Sequence, residues 1–170
     1  MKRFTTSTGK LAWCGVMTAV SLVLQLLGGL IGIGTYAAPV LGAVCTWVVL
    51  YYSDQRTAVL HWLATGILSL ILCADKELAL LYLFLLGWYP IAKPTLDRVR
   101  PKVLRLLCKL LLFNVVILAT YAILLLVVYG GDWEALGFGG LGMTIVFLVL
   151  GNVIFLMCDW LLGRLHRKFH

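Results

Sequence analysis

The sequence predicts an all-α integral membrane protein: a bundle of six transmembrane helices forming a single transmembrane domain over residues 1–170, with both termini in the cytoplasm. Three observations carry that expectation. First, 62% of the chain is hydrophobic and only 12% is charged, and the mean hydropathy is +1.02, more apolar surface than a water-soluble core absorbs. Second, the apolar residues fall into six long runs separated by short stretches of glycine, proline or charge. Third, thirteen of the 14 Lys and Arg residues fall on one side of the topology those runs imply.

A bilayer core about 30 Å thick takes about 20 apolar residues in helix, and runs of that order cover 11–33, 36–52, 57–74, 77–93, 104–129 and 141–163. The first follows Lys2, Arg3 and Lys10, as in a signal peptide, and Thr35-Tyr-Ala37 loosely resembles a cleavage site. The run is nonetheless longer than a typical signal-peptide core, so a retained helix is expected. Gly32-Ile-Gly34-Thr35 turns the chain into the second helix, Ser53-Asp54-Gln55-Arg56 into the third and Ala74-Asp75-Lys76-Glu77 into the fourth. The basic segment from Lys93 to Lys102 carries Pro94 and Pro101, which oppose one continuous helix through it. A glycine-rich loop, Gly130 to Gly140, precedes the last helix.

With the N-terminus inside, the cytoplasmic segments are the N-terminus, the 53–56 turn, the 93–103 loop with its flanks and the C-terminal tail. Only Lys76 lies outside them, in the company of Asp75, Glu77, Asp132 and Glu134. Cytoplasmic loops of membrane proteins carry this excess of Lys and Arg, and deleting one span would put a basic cluster on the wrong side. Trp47, Tyr51, Tyr52, Trp88, Tyr89, Tyr129, Trp133 and Trp160 sit mostly near the expected helix ends, where amphipathic rings prefer the headgroup layer.

The same pattern excludes function classes. The net charge of +7 and pI near 9.3 are explained by a membrane surface, so no nucleic-acid partner is expected. Cys14, Cys45, Cys73, Cys108 and Cys158 stand singly in apolar stretches as packing residues. His61, His166 and His170 have no metal-ligand spacing, no glutamate neighbours a histidine, and no GxSxG or nucleotide-binding motif occurs. No metal, cofactor or catalytic constellation is therefore expected, and any use of ATP needs another subunit.

Polar groups at membrane depth are costly and mark candidate sites. They are Gln25, His61, Asn114, Thr120, Tyr121, Asn152 and Asp159. Gln25 and Asn152 either face a cavity opening outward or hydrogen-bond between helices. His61 and Asp159 are expected near the cytoplasmic side, reaching interfacial water or basic neighbours in a structural role, because the midplane offers no chain of ionisable groups for a proton relay. The outer half holds a possible ligand pocket around Gln25, Glu77, Tyr82, Tyr121, Trp133 and Asn152, with Asp75 and Glu134 nearby; an acidic surface loop beside an interfacial Trp explains part of that set equally. Ala12, Gly15 and Ala19 make a smooth strip on the first helix, suited to close approach of another helix from this bundle or from a partner.

The opening Leu11-Ala12-Trp-Cys-Gly15-Val-Met-Thr-Ala19-Val-Ser21 on a six-helix chain with both ends inside resembles the substrate-binding S components of energy-coupling factor transporters. In those proteins a first-helix AxxxA strip docks on a separate T component; here Gly15 and Ala19 match it, with Gly in place of the first Ala. The segment Asp75-Lys-Glu77 through Leu85-Leu-Gly87-Trp88-Tyr89-Pro90-Ile-Ala-Lys93 is similar to small membrane proteins of Firmicutes in the same superfamily. The resemblance implies a multi-pass bacterial plasma-membrane protein that binds a small vitamin-like nutrient, with a T component and ATPase subunits as partners and Gln25, Tyr82, Tyr121 and Asn152 toward the ligand. No vitamin-specific pattern aligns. A membrane scaffold of the cell envelope, or an intramembrane enzyme that holds lipid phosphate through Arg98, Arg100, Lys102 and Arg105, is the alternative.

Overall fold

Apolar runs flanked by capping residues become helices here, and the described regular structure is helical throughout. The computed structural model describes residues 6–31, 34–98, 101–128, 130–131 and 141–169. The helices are α1 (Ser7–Ile31), α2 (Gly34–Tyr52), α3 (Gln55–Leu72), α4 (Lys76–Leu81), α5 (Tyr89–Leu96), α6 (Lys102–Ile123) and α7 (Leu141–Phe169). A π-helical turn, Tyr82–Leu86, joins α4 to α5, and a second, Leu124–Val128, continues α6. Among the described residues, the helical stretches Ser7–Leu30, Lys76–Leu96 and Val103–Val127 are long and apolar enough to cross a membrane, and Ala37–Tyr52 is a shorter apolar helix.

The ends follow local chemistry that hydropathy does not register. α1 begins at Ser7 rather than at Leu11, because the polar residues ahead of the apolar run extend the helix. The Gly9 N–H donates to Thr6 Oγ1 at 3.3 Å, and Lys10 Nζ reaches Asp54 Oδ2 at 3.0 Å. Asp54 caps α3 by accepting the Thr57 N–H at 2.9 Å. The Thr57 hydroxyl and backbone N–H, with Lys10, hold the Asp54 carboxyl well below the usual carboxylate range. Asp75 caps α4 through the Leu78 N–H at 3.2 Å. Lys76 Nζ turns back to the carbonyls of Leu70 and Cys73 at 2.8 and 2.9 Å, so an ammonium meets the negative end of α3.

The interruption expected between Pro94 and Pro101 narrows to the residues after Leu96, because α5 runs through Pro94 and Pro101 supplies the extended N-cap of α6. Beyond the second π turn, Gly130 and Gly131 take φ of 60° and 92°, and the Gly131 N–H closes onto the Leu125 carbonyl at 2.8 Å. That left-handed stop is open to glycine at little cost.

The chain divides into two compact units, Met1–Arg98 and Val99–His170. In the first, α2 packs against α1, α3, α4, the π turn and α5. In the second, α6 packs against α7, through Phe113 and Phe155 with ring centroids 4.7 Å apart.

The polarity of the first unit is inverted relative to a water-soluble bundle. On α1 the buried positions are Cys14, Thr18, Ser21, Gln25 and Gly28, at alternating spacings of four and three, while Leu11, Val16, Val20, Val23, Leu27 and Leu30 are exposed. α3 repeats the arrangement, burying Thr57, Ala58, His61, Thr65, Gly66 and Ser69 and exposing Leu60, Leu63, Ile67, Leu68, Ile71 and Leu72. Large apolar residues outside and hydroxyls inside make physical sense where the surroundings are as apolar as the side chains.

Candidate functional site

The inward stripes of α1 and α3 meet residues from α2 and the first π turn to form a polar centre. It comprises Thr18, Ser21 and Gln25 on α1, Thr46 on α2, His61, Thr65 and Ser69 on α3, and Tyr82 at the head of the π turn, all buried. The His61 ring lies between hydroxyls of the neighbouring helix, with Thr18 Oγ1 3.1 Å from Nδ1 and Ser21 Oγ 3.5 Å from Nε2. The phenol of Tyr82 meets Thr46 Oγ1 at 3.1 Å, and Thr46 also donates to the Gly42 carbonyl one turn back at 3.2 Å. Thr65 lies beside the same phenol without a hydrogen bond of good geometry, and Ser69 donates to the Gly66 carbonyl at 2.9 Å.

The π turn and two glycines make room for Tyr82. The Gly87 N–H passes over the Leu83 carbonyl to the Tyr82 carbonyl at 2.7 Å, and the Leu83 carbonyl accepts the Trp62 indole N–H at 2.8 Å. A Cβ on Gly42 would stand 2.7 Å from Tyr82 Cε2, and one on Gly87 would stand 2.6 Å from Trp62 Cδ1. The absence of side chains at these positions thus lets the ring cross α2 and the bulged helix approach α3. Such π turns recur at functional sites.

Gln25 differs from the other side chains of the centre in leaving two polar atoms unmet, a donor and an acceptor. It is 0% exposed, yet neither its Oε1 nor its Nε2 has a hydrogen-bond partner among the described residues. Its Nε2 points toward Gly42, 3.4 Å from where a Cβ would stand, which puts the carboxamide beside the Tyr82 ring. Leaving a buried donor or acceptor unmet costs about 1–3 kcal/mol for each group. None of the side chains of this centre carries a carboxylate, an ammonium or a guanidinium, so its chemistry is that of neutral hydrogen bonding.

Of the residues predicted to face a ligand, Gln25 and Tyr82 are brought together. Glu77 is half-buried on the first turn of α4, more than a helical turn before Tyr82. Tyr121 and Asn152 belong to the second unit, and Trp133 lies outside the described residues. Asn152 takes the interhelical alternative: it and Asn114 exchange side-chain hydrogen bonds at 3.1 and 3.2 Å. Asp159 reaches a basic neighbour as expected, with Lys109 Nζ 3.0 and 3.1 Å from its carboxylate oxygens. His61 departs from expectation, since it is enclosed among hydroxyls rather than reaching interfacial water or a basic neighbour; the stripes of α1 and α3 turn its ring inward. Ala12, Gly15 and Ala19 lie on exposed positions of α1, and a Cβ on Gly15 meets nothing within 4 Å.

Thr18, Ser21, Thr46, Thr65 and Ser69 escaped the sequence reading because an isolated hydroxyl in an apolar helix is unremarkable. The signal was their register: Thr18, Ser21 and Gln25 repeat at three and four residues, and His61, Thr65 and Ser69 at four, each marking one helical face. Among the described residues no group of His, Cys, Asp and Glu could hold a metal ion. Comparison with protein-family models, curated proteins and solved structures gives no significant match.

Proposed function

We propose that the chain is a multi-pass plasma-membrane protein, six helices with both ends in the cytoplasm, that serves as the substrate-binding subunit of an uptake transporter of the energy-coupling factor type. The observation that carries this reading is the unpartnered Gln25 carboxamide in a neutral polar centre walled by helices whose outward faces are apolar. A membrane scaffold gains nothing from an orphaned amide at its centre, whereas a solute-binding bundle needs groups held ready for a ligand. The three long apolar helices and the one-sided distribution of Lys and Arg support the membrane topology.

In this reading a small nutrient entering from outside is held in the first unit, and a T component with paired ATPases drives its release. The exposed strip of Ala12, Gly15 and Ala19 offers the smooth surface a coupling helix requires. The test is affinity purification of the tagged protein from native membranes in mild detergent, with mass spectrometry of co-purifying proteins and small molecules. Recovery of a T component and ATPases, lost on Gly15→Leu or Ala19→Leu while the fold persists, is expected. Recovery of cell-wall or lipid-metabolising enzymes in their place, with no small molecule, overturns the proposal.

A further inference from the structure

The chain shows how it meets a carboxamide at helix interfaces when it supplies the partner itself. Asn114 and Asn152 pair edge to edge, each Nδ2 donating to the other's Oδ1 at 3.1 and 3.2 Å, and each second N–H goes to a carbonyl one turn back, Leu110 or Leu148, at 2.7 and 2.8 Å. A donor and an acceptor side by side are matched by an acceptor and a donor side by side, and another amide edge provides both.

Gln25 presents the same edge, more deeply buried, and none of the described residues answers it. It has no backbone carbonyl in the role Leu110 and Leu148 play. Opposite it stands Gly42, where a Cβ would lie 3.4 Å from Nε2, and beside it lies the Tyr82 ring, whose hydroxyl is already engaged by Thr46. The surrounding groups are hydroxyls, a phenol and an imidazole. A carboxylate arriving here would meet Gln25 Oε1 with acceptor against acceptor, and an ammonium would leave Nε2 unmet. Either ion would also lose its hydration to a centre without a countercharge.

We infer that Gln25 reads an uncharged ligand through an amide edge: a lactam, a primary carboxamide or a ureido group that places N–H and C=O side by side against Nε2 and Oε1. This rests on the reading of the first unit as a solute-binding centre and narrows its substrate class. Tyr82 supplies the flat apolar wall against which such a planar group lies.

The experiment uses the full chain purified from native membranes in mild detergent. Small molecules released on denaturation are identified by mass spectrometry, and thermal unfolding is then followed with matched probes: benzamide against benzoate, and 2-piperidone against 5-aminovalerate. The released molecule is expected to carry an amide, lactam or ureido group, and the amides are expected to raise Tm where their acids do not. Gln25→Leu, which removes both the donor and the acceptor, is expected to weaken amide binding about 100-fold, the equivalent of losing two hydrogen bonds of ordinary net strength. The fold of the same variant is checked without probe, where it is expected to unfold at or above the wild-type temperature because it removes an unmet amide. A released molecule with no amide edge, or amide binding retained in Gln25→Leu, overturns this inference and leaves solute binding standing. No released molecule together with no shift from any probe overturns both.

Discussion

Replacing Gly42 by alanine tests whether the crossing of Tyr82 over α2 organises the polar centre. The added methyl would stand 2.7 Å from Cε2 and 2.9 Å from Cδ2 of the ring, against a comfortable carbon–carbon separation of about 3.5–4.0 Å. A ring cannot yield as the end of a flexible chain does, so Tyr82 or α2 must shift by roughly the missing ångström. Overpacking of this kind costs about 1–3 kcal/mol. The shift also breaks or stretches the 3.1 Å Tyr82–Thr46 hydrogen bond, for a further loss of about 0.5–1.5 kcal/mol. Against this, alanine favours the helix over glycine by about 1 kcal/mol, which leaves a net destabilisation of about 2 kcal/mol. Gly15→Ala is the control, because its methyl meets nothing within 4 Å and only the helix gain of at most about 1 kcal/mol remains. Reversible unfolding of both variants in mixed micelles is expected to place Gly42→Ala below wild type and Gly15→Ala at or above it. Equal stability of the two variants refutes the crossing as a constraint.

Lys109→Met leaves the Asp159 carboxylate, 20% exposed, without its ammonium, and is expected to lose about 2–4 kcal/mol; Lys109→Met with Asp159→Leu should recover most of it in the same unfolding assay, and failure to recover any would show that the loss is not one of an uncompensated charge. A double-mutant cycle of Asn114→Leu and Asn152→Leu is expected to give a coupling of about 0.6–1.7 kcal/mol, the range for polar pairs between membrane helices, and zero coupling would mean the amide pair is not formed. The Asp54 carboxyl is held below its ordinary range by Thr57 and Lys10, so its contribution to stability is complete above the unfolded value of about 3.9 and fades as pH falls toward the depressed folded value. The stability gap between wild type and Asp54→Ala is accordingly expected to be larger at pH 7 than at pH 3, and a gap independent of pH would refute ionised capping.

The helical segments are legible to within about six residues, the largest miss being the run of α7 to Phe169 past the expected end at 163, because apolar run length and the residues that break runs speak to the same boundaries. What the apolar runs concealed was local. The extension of α1 to Ser7 comes from polar residues, the continuation of α5 past Pro94 costs a hydrogen bond that hydropathy ignores, and the π turn at Tyr82 leaves no compositional mark in Tyr-Leu-Phe-Leu-Leu. Facing was harder than position. In a water-soluble helix the apolar stripe identifies the interior, but α1 and α3 are apolar nearly all round, and their inward faces are marked by Thr, Ser, Gln and His. An amide at depth is rare enough to stand out alone, as Gln25 does, whereas single hydroxyls sharing its face do not. Their common register on α1 and α3 would have placed Gln25 and His61 on inward faces without any structure.

The polar centre also separates two kinds of demand on the same side chains. With little hydrophobic drive between helices in a bilayer, hydrogen bonds and close packing hold a bundle together, and the contacts of His61 with Thr18 and Ser21, of Tyr82 with Thr46, and of Lys109 with Asp159 are explained on that ground alone. Each of them joins two helical elements of one unit, and each satisfies a group that would otherwise be stranded. Gln25 does neither. Packing alone would favour a leucine there, since leucine fills comparable volume and brings no polar atoms to satisfy. The structural hydrogen bonds therefore account for why the centre is polar, and they leave unexplained why its amide meets no partner among the described residues; the proposed amide ligand would supply one.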